Sequence, residues 1–314
     1  MSKLPHSLRN NAFNLLMIFV MLIFGFGCVC SNLGDDNRSS GRNSIDSPQS
    51  QTNSTGSKQT NKGRTKANTQ TTTTKRSAEE DKGDFQVEYV DVENPAYEKL
   101  NQEMRSEKVL ESASRDLNKA LALPYDITLV TKDCGQVNAF YQPSERSITI
   151  CYEMMEFYSK LFSQKYSGEE ANQKMADALQ FIFLHELGHA LIDAYQLPVT
   201  GNEEDAADKL SSYINLKELG ESGGGTRAAL AASEAFDMQS QMTGDKDLPF
   251  YDEHSLDQQR FYTILCQLYG SNPNKYEVLV SKGVLPEQRA VRCPNEFQQN
   301  SRTWASLLEK YRKQ

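Results

Sequence analysis

Two histidines and a glutamate in one short stretch are the side chains with the clearest chemical potential. His185, Glu186 and His189 form the pattern His-Glu-x-x-His, and the residues on either side of the pattern are apolar. On an α-helix, residues four apart stand one turn above the other on the same face. The two imidazoles can therefore share one zinc ion, while Glu186 points aside and can accept a proton from a water molecule. The spacing predicts a metal site with a general base beside it.

The rarity of histidine makes this pattern specific. The chain has 4 histidines among 314 residues, and two of them belong to the motif. The alternative is a core helix whose histidines are satisfied by hydrogen bonds alone. Such a helix would have to bury two imidazoles and a carboxylate, which costs free energy unless every polar atom finds a partner. We therefore favour the metal site.

A catalytic zinc ion needs a third protein ligand and one position left open for water. No further histidine follows the motif at short spacing, so the third ligand is expected to be a carboxylate. The candidates are Glu203, Glu204 and Asp205, at the start of a predicted helix with Asn202 as its N-cap. The helix macrodipole also favours acidic residues at an N-terminus, which explains some of them without a metal. It does not require Asp208, which lies a turn further into the helix.

The elements that position these side chains follow from periodicity. One long amphipathic helix, from about Gly168 to a residue before Pro198, is predicted to carry the motif. The predicted strands are 85–90, 127–130 and the two arms of a hairpin over 134–151. A helix beginning at Asn94-Pro95 is predicted between the first two strands, and helices dominate after the motif. The sequence thus predicts an α+β fold: a small, mostly antiparallel sheet packed on the zinc-binding helix, then a mainly helical C-terminal half.

The N-terminal residues predict export. A short basic region precedes an apolar run from Leu15 to Gly27, which is short for a membrane span but typical of a signal peptide. Two cysteines follow at once, so residues 1–30 are either a lipoprotein-type signal or an ordinary signal peptide or uncleaved anchor. Residues 31–83 are rich in Ser, Thr, Asn and Gln and predict a disordered tether. Residues 84–314 are expected to form the folded domain.

Four cysteines of the folded part are predicted to form two disulfides. Cys134 and Cys151 fall in the two arms of the hairpin, and Cys266 and Cys293 bracket a loop-rich segment. In an exported chain such pairs form disulfides more often than metal sites.

The His-Glu-x-x-His helix resembles that of the zincin metallopeptidases. Glu204 and Asp208, four apart on one helical face, are similar to the Glu-x-x-x-Asp pattern of the thermolysin-like gluzincins. In those enzymes the glutamate binds zinc and the aspartate hydrogen-bonds the first histidine. The resemblance implies that Glu204 is the third ligand and that Asp208 orients His185.

Two further segments are similar to gluzincins. The Asn-Ala-Phe-Tyr sequence resembles their edge strand, which implies that Asn138 and Ala139 bind an extended peptide by backbone pairing. Gluzincins also have a downstream histidine that hydrogen-bonds the oxyanion, which implies this catalytic role for His254, with Asp252 or Asp257 supporting the ring. An ordinary buried hairpin and a surface or helix-capping histidine are the alternatives.

Taken together, residues 84–314 resemble a small family of proposed zinc metallopeptidases of zincin type. The implied activity is hydrolysis of a peptide or protein substrate, with Zn²⁺ as cofactor and Glu186 as general base. The alternatives are a non-catalytic envelope binding protein that retains the zincin fold, and a metal-dependent hydrolase of another amide bond. A formal net charge of −8 argues against a nucleic-acid partner. We expect the protein in the cell envelope or secreted, touching the membrane only through its N-terminal signal or a lipid anchor.

Overall fold

The computed structural model describes residues 81–242 and 253–313. The predicted signal segment, residues 1–30, and nearly all of the predicted tether, residues 31–83, lie outside the described residues.

Four strands form one mixed sheet in the order β1-β2-β4-β3. The strands are β1 (Phe85–Tyr89), β2 (Ile127–Lys132), β3 (Ala139–Gln142) and β4 (Ser147–Cys151). The pairs β1–β2 and β2–β4 are parallel, and only β3–β4 is antiparallel. The expectation of a mostly antiparallel sheet is therefore wrong, although the α+β class and the predicted β3–β4 hairpin are confirmed.

The parallel pairs have a physical origin in the connections. The chain leaves β1, forms helices α1 (Glu98–Ser106) and α2 (Val109–Ala120), and only then enters β2. A helical crossover returns the chain to the starting end of the sheet, so the next strand runs in the same direction. The hairpin then inserts β4 beside β2 and leaves β3 at the edge. This order suits the side chains, because all of β4 is buried whereas β3 is largely half-buried or exposed.

Helices make up the rest of the described domain. They are α3 (Tyr152–Ser163), α4 (Gly168–Tyr195), α5 (Glu203–Tyr213), α6 (Gly225–Met242), α7 (Asp257–Ser271), α8 (Glu277–Ser281), α9 (Glu287–Ala290) and α10 (Cys293–Leu308). A π-helical segment, Ile214–Leu219, continues α5, and short 3₁₀ turns occur at Pro95–Tyr97 and Glu309–Tyr311. No helix in these described ranges is long and apolar enough to cross a membrane.

Helix α4 is the central element because it is buried on more than one side. Leu187 and Leu191 pack with Leu129 and Ile148 of the sheet. On another side of α4, Phe181, Ile182 and Ala178 pack with Phe236 and the alanines of α6. Each large apolar side chain buried in this way contributes roughly 1.5–3 kcal/mol relative to exposure. The sheet and α6 thus pack on two sides of the motif helix, and the histidines lie on a different face of it.

Both predicted disulfides are formed. Cys134 pairs with Cys151, and Cys266 pairs with Cys293. The first disulfide ties the loop before β3 to the end of β4. The Glu153 carboxylate accepts hydrogen bonds from the backbone N–H groups of Cys134 and Gly135 at 2.8–3.2 Å. The disulfide and this carboxylate therefore stabilise the loop before β3.

Candidate metal centre

The close packing of α4 against α5 brings the candidate ligands together. A Cβ atom on Gly188 would lie 3.0 Å from the Cα atom and 3.1 Å from the Cβ atom of Ala207. Only a glycine between the motif residues therefore allows this approach without displacing α5. At the start of α5, the Asn202 side chain accepts the backbone N–H of Glu204 at 2.9 Å, as predicted for an N-cap. The first turn of α5 then faces the two histidines.

Three side chains converge with their ligand atoms almost equally spaced. The Nε2 atoms of His185 and His189 lie 3.2 Å apart. Glu204 Oε2 lies 3.0 Å from His185 Nε2, and Glu204 Oε1 lies 3.4 Å from His189 Nε2. A tetrahedral site with bonds of 2.0–2.1 Å places its ligand atoms about 3.3 Å apart. The two imidazoles and the carboxylate therefore fit a tetrahedral cation, and Glu204 is the acidic residue that faces both rings.

The opposite side of each imidazole ring is held by another carboxylate. His185 Nδ1 lies 2.8 Å from Asp208 Oδ1, and His189 Nδ1 lies 2.9 Å from Glu203 Oε1. Asp208 is itself buried and accepts hydrogen bonds from Arg260 at 2.7 and 2.8 Å. Because an ionised carboxylate only accepts hydrogen bonds, each Nδ1 carries the proton and each Nε2 turns to the centre.

The ionisable groups of the cluster shift one another's pKa values. Burial alone would lower the pKa of each histidine, but hydrogen bonds to carboxylates outweigh it and raise the pKa of His185, and that of His189 to about 9. Burial would raise the pKa of Glu204, yet hydrogen bonds from His185, His189 and His254 hold it far below its usual range. Burial acts likewise on Asp208, but Arg260 and His185 hold its pKa well below normal. The raised pKa of both histidines favours a second proton on each ring, at the Nε2 atom, and a divalent cation would displace these protons.

Glu186 lies beside the cluster and contacts the sheet edge. Its side chain is buried, and its Oε2 accepts the backbone N–H of Tyr141 at 2.9 Å. Burial raises the pKa of the Glu186 carboxyl, although the neighbouring histidines oppose this. The structure thus brings the glutamate of the motif to β3, the strand singled out by its Asn-Ala-Phe-Tyr sequence.

Backbone groups of β3 alternate in direction. The Asn138 carbonyl accepts the N–H of Cys151 at 3.2 Å and so points towards β4. In an antiparallel pair the next residue points the other way, which makes Ala139 and Tyr141 the outward residues of the edge. The Ala139 N–H accordingly meets the Asn138 side chain, at 3.0 Å from its Oδ1. At the outer side of the edge, Asn138 thus presents its side chain and Ala139 presents its backbone groups.

His254 reaches the same cluster from the segment before α7. Its Nε2 lies 3.0 Å from Glu204 Oε2, its ring stacks on His185 at 6.2 Å between centroids, and its side chain is 50 % exposed. His185, Glu204 and His254 place ligand atoms within 4.8 Å of one another. Of its two expected supports, Asp252 lies outside the described residues, and Asp257 begins α7.

A family model described as "Putative metallopeptidase" matches residues 89–308. The chain belongs to this family. No curated protein and no solved structure matches it. The match to this metallopeptidase family begins at the last residue of β1. It covers β2, β3, β4, the motif helix and all helices of the C-terminal half. The family implies a metal ion, and the His185–His189–Glu204 cluster has the donor atoms to hold one.

Two residues of this metallopeptidase family member were missed by sequence reasoning. Arg260 pairs with Asp208 from 52 residues away, and Tyr141 meets Glu186 from 45 residues away. A signal for Arg260 exists, because it lies four residues before the buried Ile264 on the apolar face of α7 and a buried arginine requires an acidic partner. The Tyr141 contact is made by the backbone and leaves no signal in residue types.

Proposed function

We propose that the protein is a zinc-dependent peptidase that cleaves peptide or protein substrates. The observation that carries this proposal is the convergence of His185, His189 and Glu204 around one point, with Glu186 between that point and an edge strand. Membership of a metallopeptidase family supports the same reaction class.

His185, His189 and Glu204 would hold the metal. Two imidazoles and one carboxylate form a donor set typical of catalytic zinc, whereas calcium and magnesium prefer oxygen ligands. When bound, zinc acts as a Lewis acid on a substrate carbonyl and on water. Asp208 fixes the tautomer and the orientation of His185, and Arg260 keeps Asp208 ionised.

Glu186 acts as the general base. Its Oε2 is anchored by the Tyr141 N–H, which leaves the other oxygen to take the proton of the attacking water. Its burial favours holding that proton until it is delivered to the leaving amine. His254, whose Nε2 already points at the cluster, would donate a hydrogen bond to the carbonyl oxygen as that atom becomes negative.

The β3 edge binds the substrate as an added strand. Ala139 and Tyr141 present backbone groups outward, next to Glu186, and an extended peptide can pair with them. Asn138 contributes through its side chain, which can release the Ala139 N–H and contact the substrate instead. Backbone pairing recognises any extended peptide, so side-chain preference must come from the surfaces that flank the edge.

Export is part of the proposal. Two disulfides suit an oxidising compartment, because such bonds are rare in the cytosol. We propose that residues 1–30 direct export, with or without lipid attachment at the cysteines that follow the apolar run, and that residues 31–83 tether the folded domain.

The test is a metal analysis joined to a substrate screen. The purified protein should contain about one zinc per chain by mass spectrometry, and the variant His189→Ala should lose most of it. The wild type should cleave members of a diverse peptide library, stop when a chelator removes the metal, and resume when zinc returns. One zinc per chain without cleavage of any peptide would favour a binding protein or a hydrolase of another amide bond. Absence of bound zinc in the wild type would contradict the proposal altogether.

A further inference from the structure

The Asn202 side chain makes two hydrogen bonds with different partners. Its Oδ1 accepts the backbone N–H of Glu204 at 2.9 Å, which is the N-cap bond of α5. Its Nδ2 donates to the backbone carbonyl of Glu253 at 2.7 Å. Capping alone needs only an acceptor, and serine, threonine or aspartate could supply it. The second bond uses the amide donor and crosses to the segment that carries His254.

The Asn202–Glu253 hydrogen bond is a clamp on one side of His254, and a second clamp lies on the other side. The Ser255 hydroxyl donates to Asp205 Oδ1 at 2.7 Å. Three successive residues of this non-helical segment thus each contact the N-terminus of α5, and the segment runs alongside its first turn. The pairs are Glu253 with Asn202, His254 with Glu204, and Ser255 with Asp205. Between the two clamps, His254 Nε2 lies 3.0 Å from Glu204 Oε2.

We propose that Asn202 and the Ser255–Asp205 pair are positioning residues, which hold the His254 imidazole against the metal centre. The inference rests on the proposed function. His254 is half exposed and precedes α7, so no helical backbone constrains it. Without the clamps its side chain would sample several rotamers, and ordering it during the reaction would slow each turnover. With the clamps, the same helix turn that provides Glu204 also sets the place of His254.

The substitution Asn202→Asp separates capping from positioning. Aspartate caps a helix as well as asparagine does, and its charge suits a helix N-terminus, so α5 should remain stable. It has no donor for the Glu253 carbonyl, so the first clamp is lost. Ser255→Ala removes the second clamp without adding a charge.

The first measurement uses the metal-free full chain. Nuclear Overhauser contacts between the His254 and His185 rings should be seen in the wild type and weaken in both variants, at unchanged thermal unfolding temperature. Unchanged ring contacts in both variants would overturn the proposal. This readout needs no activity, so it tests positioning even if the proposed peptidase function fails.

The second measurement uses the zinc-loaded protein and a peptide that the wild type cleaves. Each variant should lower kcat about two- to tenfold, the effect of one lost hydrogen bond, with KM and zinc affinity little changed. In a His254→Ala background, neither substitution should lower kcat further, because the group they position is gone. A full additional loss in that background would overturn the proposal and assign Asn202 and Ser255 a role independent of His254.

Discussion

The two edges of the sheet are covered in opposite ways. At the β1 edge, Asn118 accepts the Phe85 N–H at 2.6 Å, while Ser114 and Asn118 donate to the Phe85 carbonyl at 2.5 and 3.1 Å. Arg105 donates to the Tyr89 carbonyl at 2.8 Å. All three side chains project from α1 and α2, which pack along the strand. Helical side chains of the fold itself therefore satisfy these backbone groups.

At the β3 edge, one outward donor is held by the glutamate of the motif and the other by a side chain that directly precedes the strand. Glu186 accepts the Tyr141 N–H, and the Asn138 side chain accepts the Ala139 N–H. Sheet edges that are not covered invite pairing with another chain. The contrast is consistent with the proposed function: helical side chains cover the β1 edge, whereas the side chains at the β3 edge would exchange their hydrogen bonds for those of a substrate.

Glu186→Gln should have the largest effect at the β3 edge. Glutamine can still accept the Tyr141 N–H through its amide oxygen, so the edge should keep its geometry. It cannot take a proton, so kcat should fall by about 10²- to 10⁴-fold, the usual share of a general base. Turnover of a cleaved peptide and zinc content would be measured together. A variant that keeps its zinc and more than a tenth of the wild-type rate would contradict the role of Glu186.

Asp208→Asn should affect metal binding without affecting the β3 edge. Losing the carboxylate that orients His185 should weaken zinc binding about 10- to 100-fold, as measured by competition with a chromophoric chelator. The β3 edge does not contact Asp208, so peptide binding to the metal-free protein should not change. A control is Asp177→Asn, which changes another buried aspartate, on α4, that pairs with the half-exposed Arg227 of α6. Equal zinc losses in the two variants would mean that general destabilisation is responsible.

Asn118→Ala should affect the β1 edge alone. It leaves the Phe85 N–H without its acceptor, which should reduce the free energy of unfolding by about 1–3 kcal/mol. Urea denaturation would measure this loss, and kcat/KM for peptide cleavage should stay at the wild-type value. A reduced kcat/KM at full folding would show that the two edges are not independent.

Backbone methylation of the substrate should have the smallest effect. In a set of peptides carrying one N-methyl group at successive positions, every second position along the segment paired with β3 should show a rise in KM. Each lost hydrogen bond should account for about 2- to 12-fold. The intervening positions point away from the edge and serve as internal controls. A flat profile would argue against strand addition.

Local spacing made the centre of the site predictable. His185, Glu186, His189 and the facing acidic turn around Glu204 follow from helix geometry, which sequence shows directly. Sequence alone left Glu203, Glu204 and Asp205 as alternatives, because the choice depends on how α5 meets α4. The structure gives each a different partner: Glu204 faces both Nε2 atoms, Glu203 meets His189 Nδ1, and Asp205 accepts from Ser255.

Long-range pairing was beyond the sequence. The β3–β4 hairpin was predictable because its turn is local, but the parallel position of β4 beside β2 depends on contacts between segments that are not adjacent in sequence. Likewise, Arg260 reaches Asp208 and Asn202 reaches Glu253 only because α7 and its preceding segment fold back over α5. Residue types give no direct sign of such contacts.

The approach of Gly188 to Ala207 has a mechanical consequence. Where Gly188 meets Ala207, only the alanine methyl group lies between the two backbones, so no rotamer change at this point can absorb a movement of α5. A displacement of α5 at this contact would therefore also displace the backbone of α4 between the two histidines. The spacing of the candidate ligands on α4 and α5 is thereby fixed by direct packing of the two helices, so a substitution at Gly188 or Ala207 should change that spacing although neither residue is itself a candidate ligand.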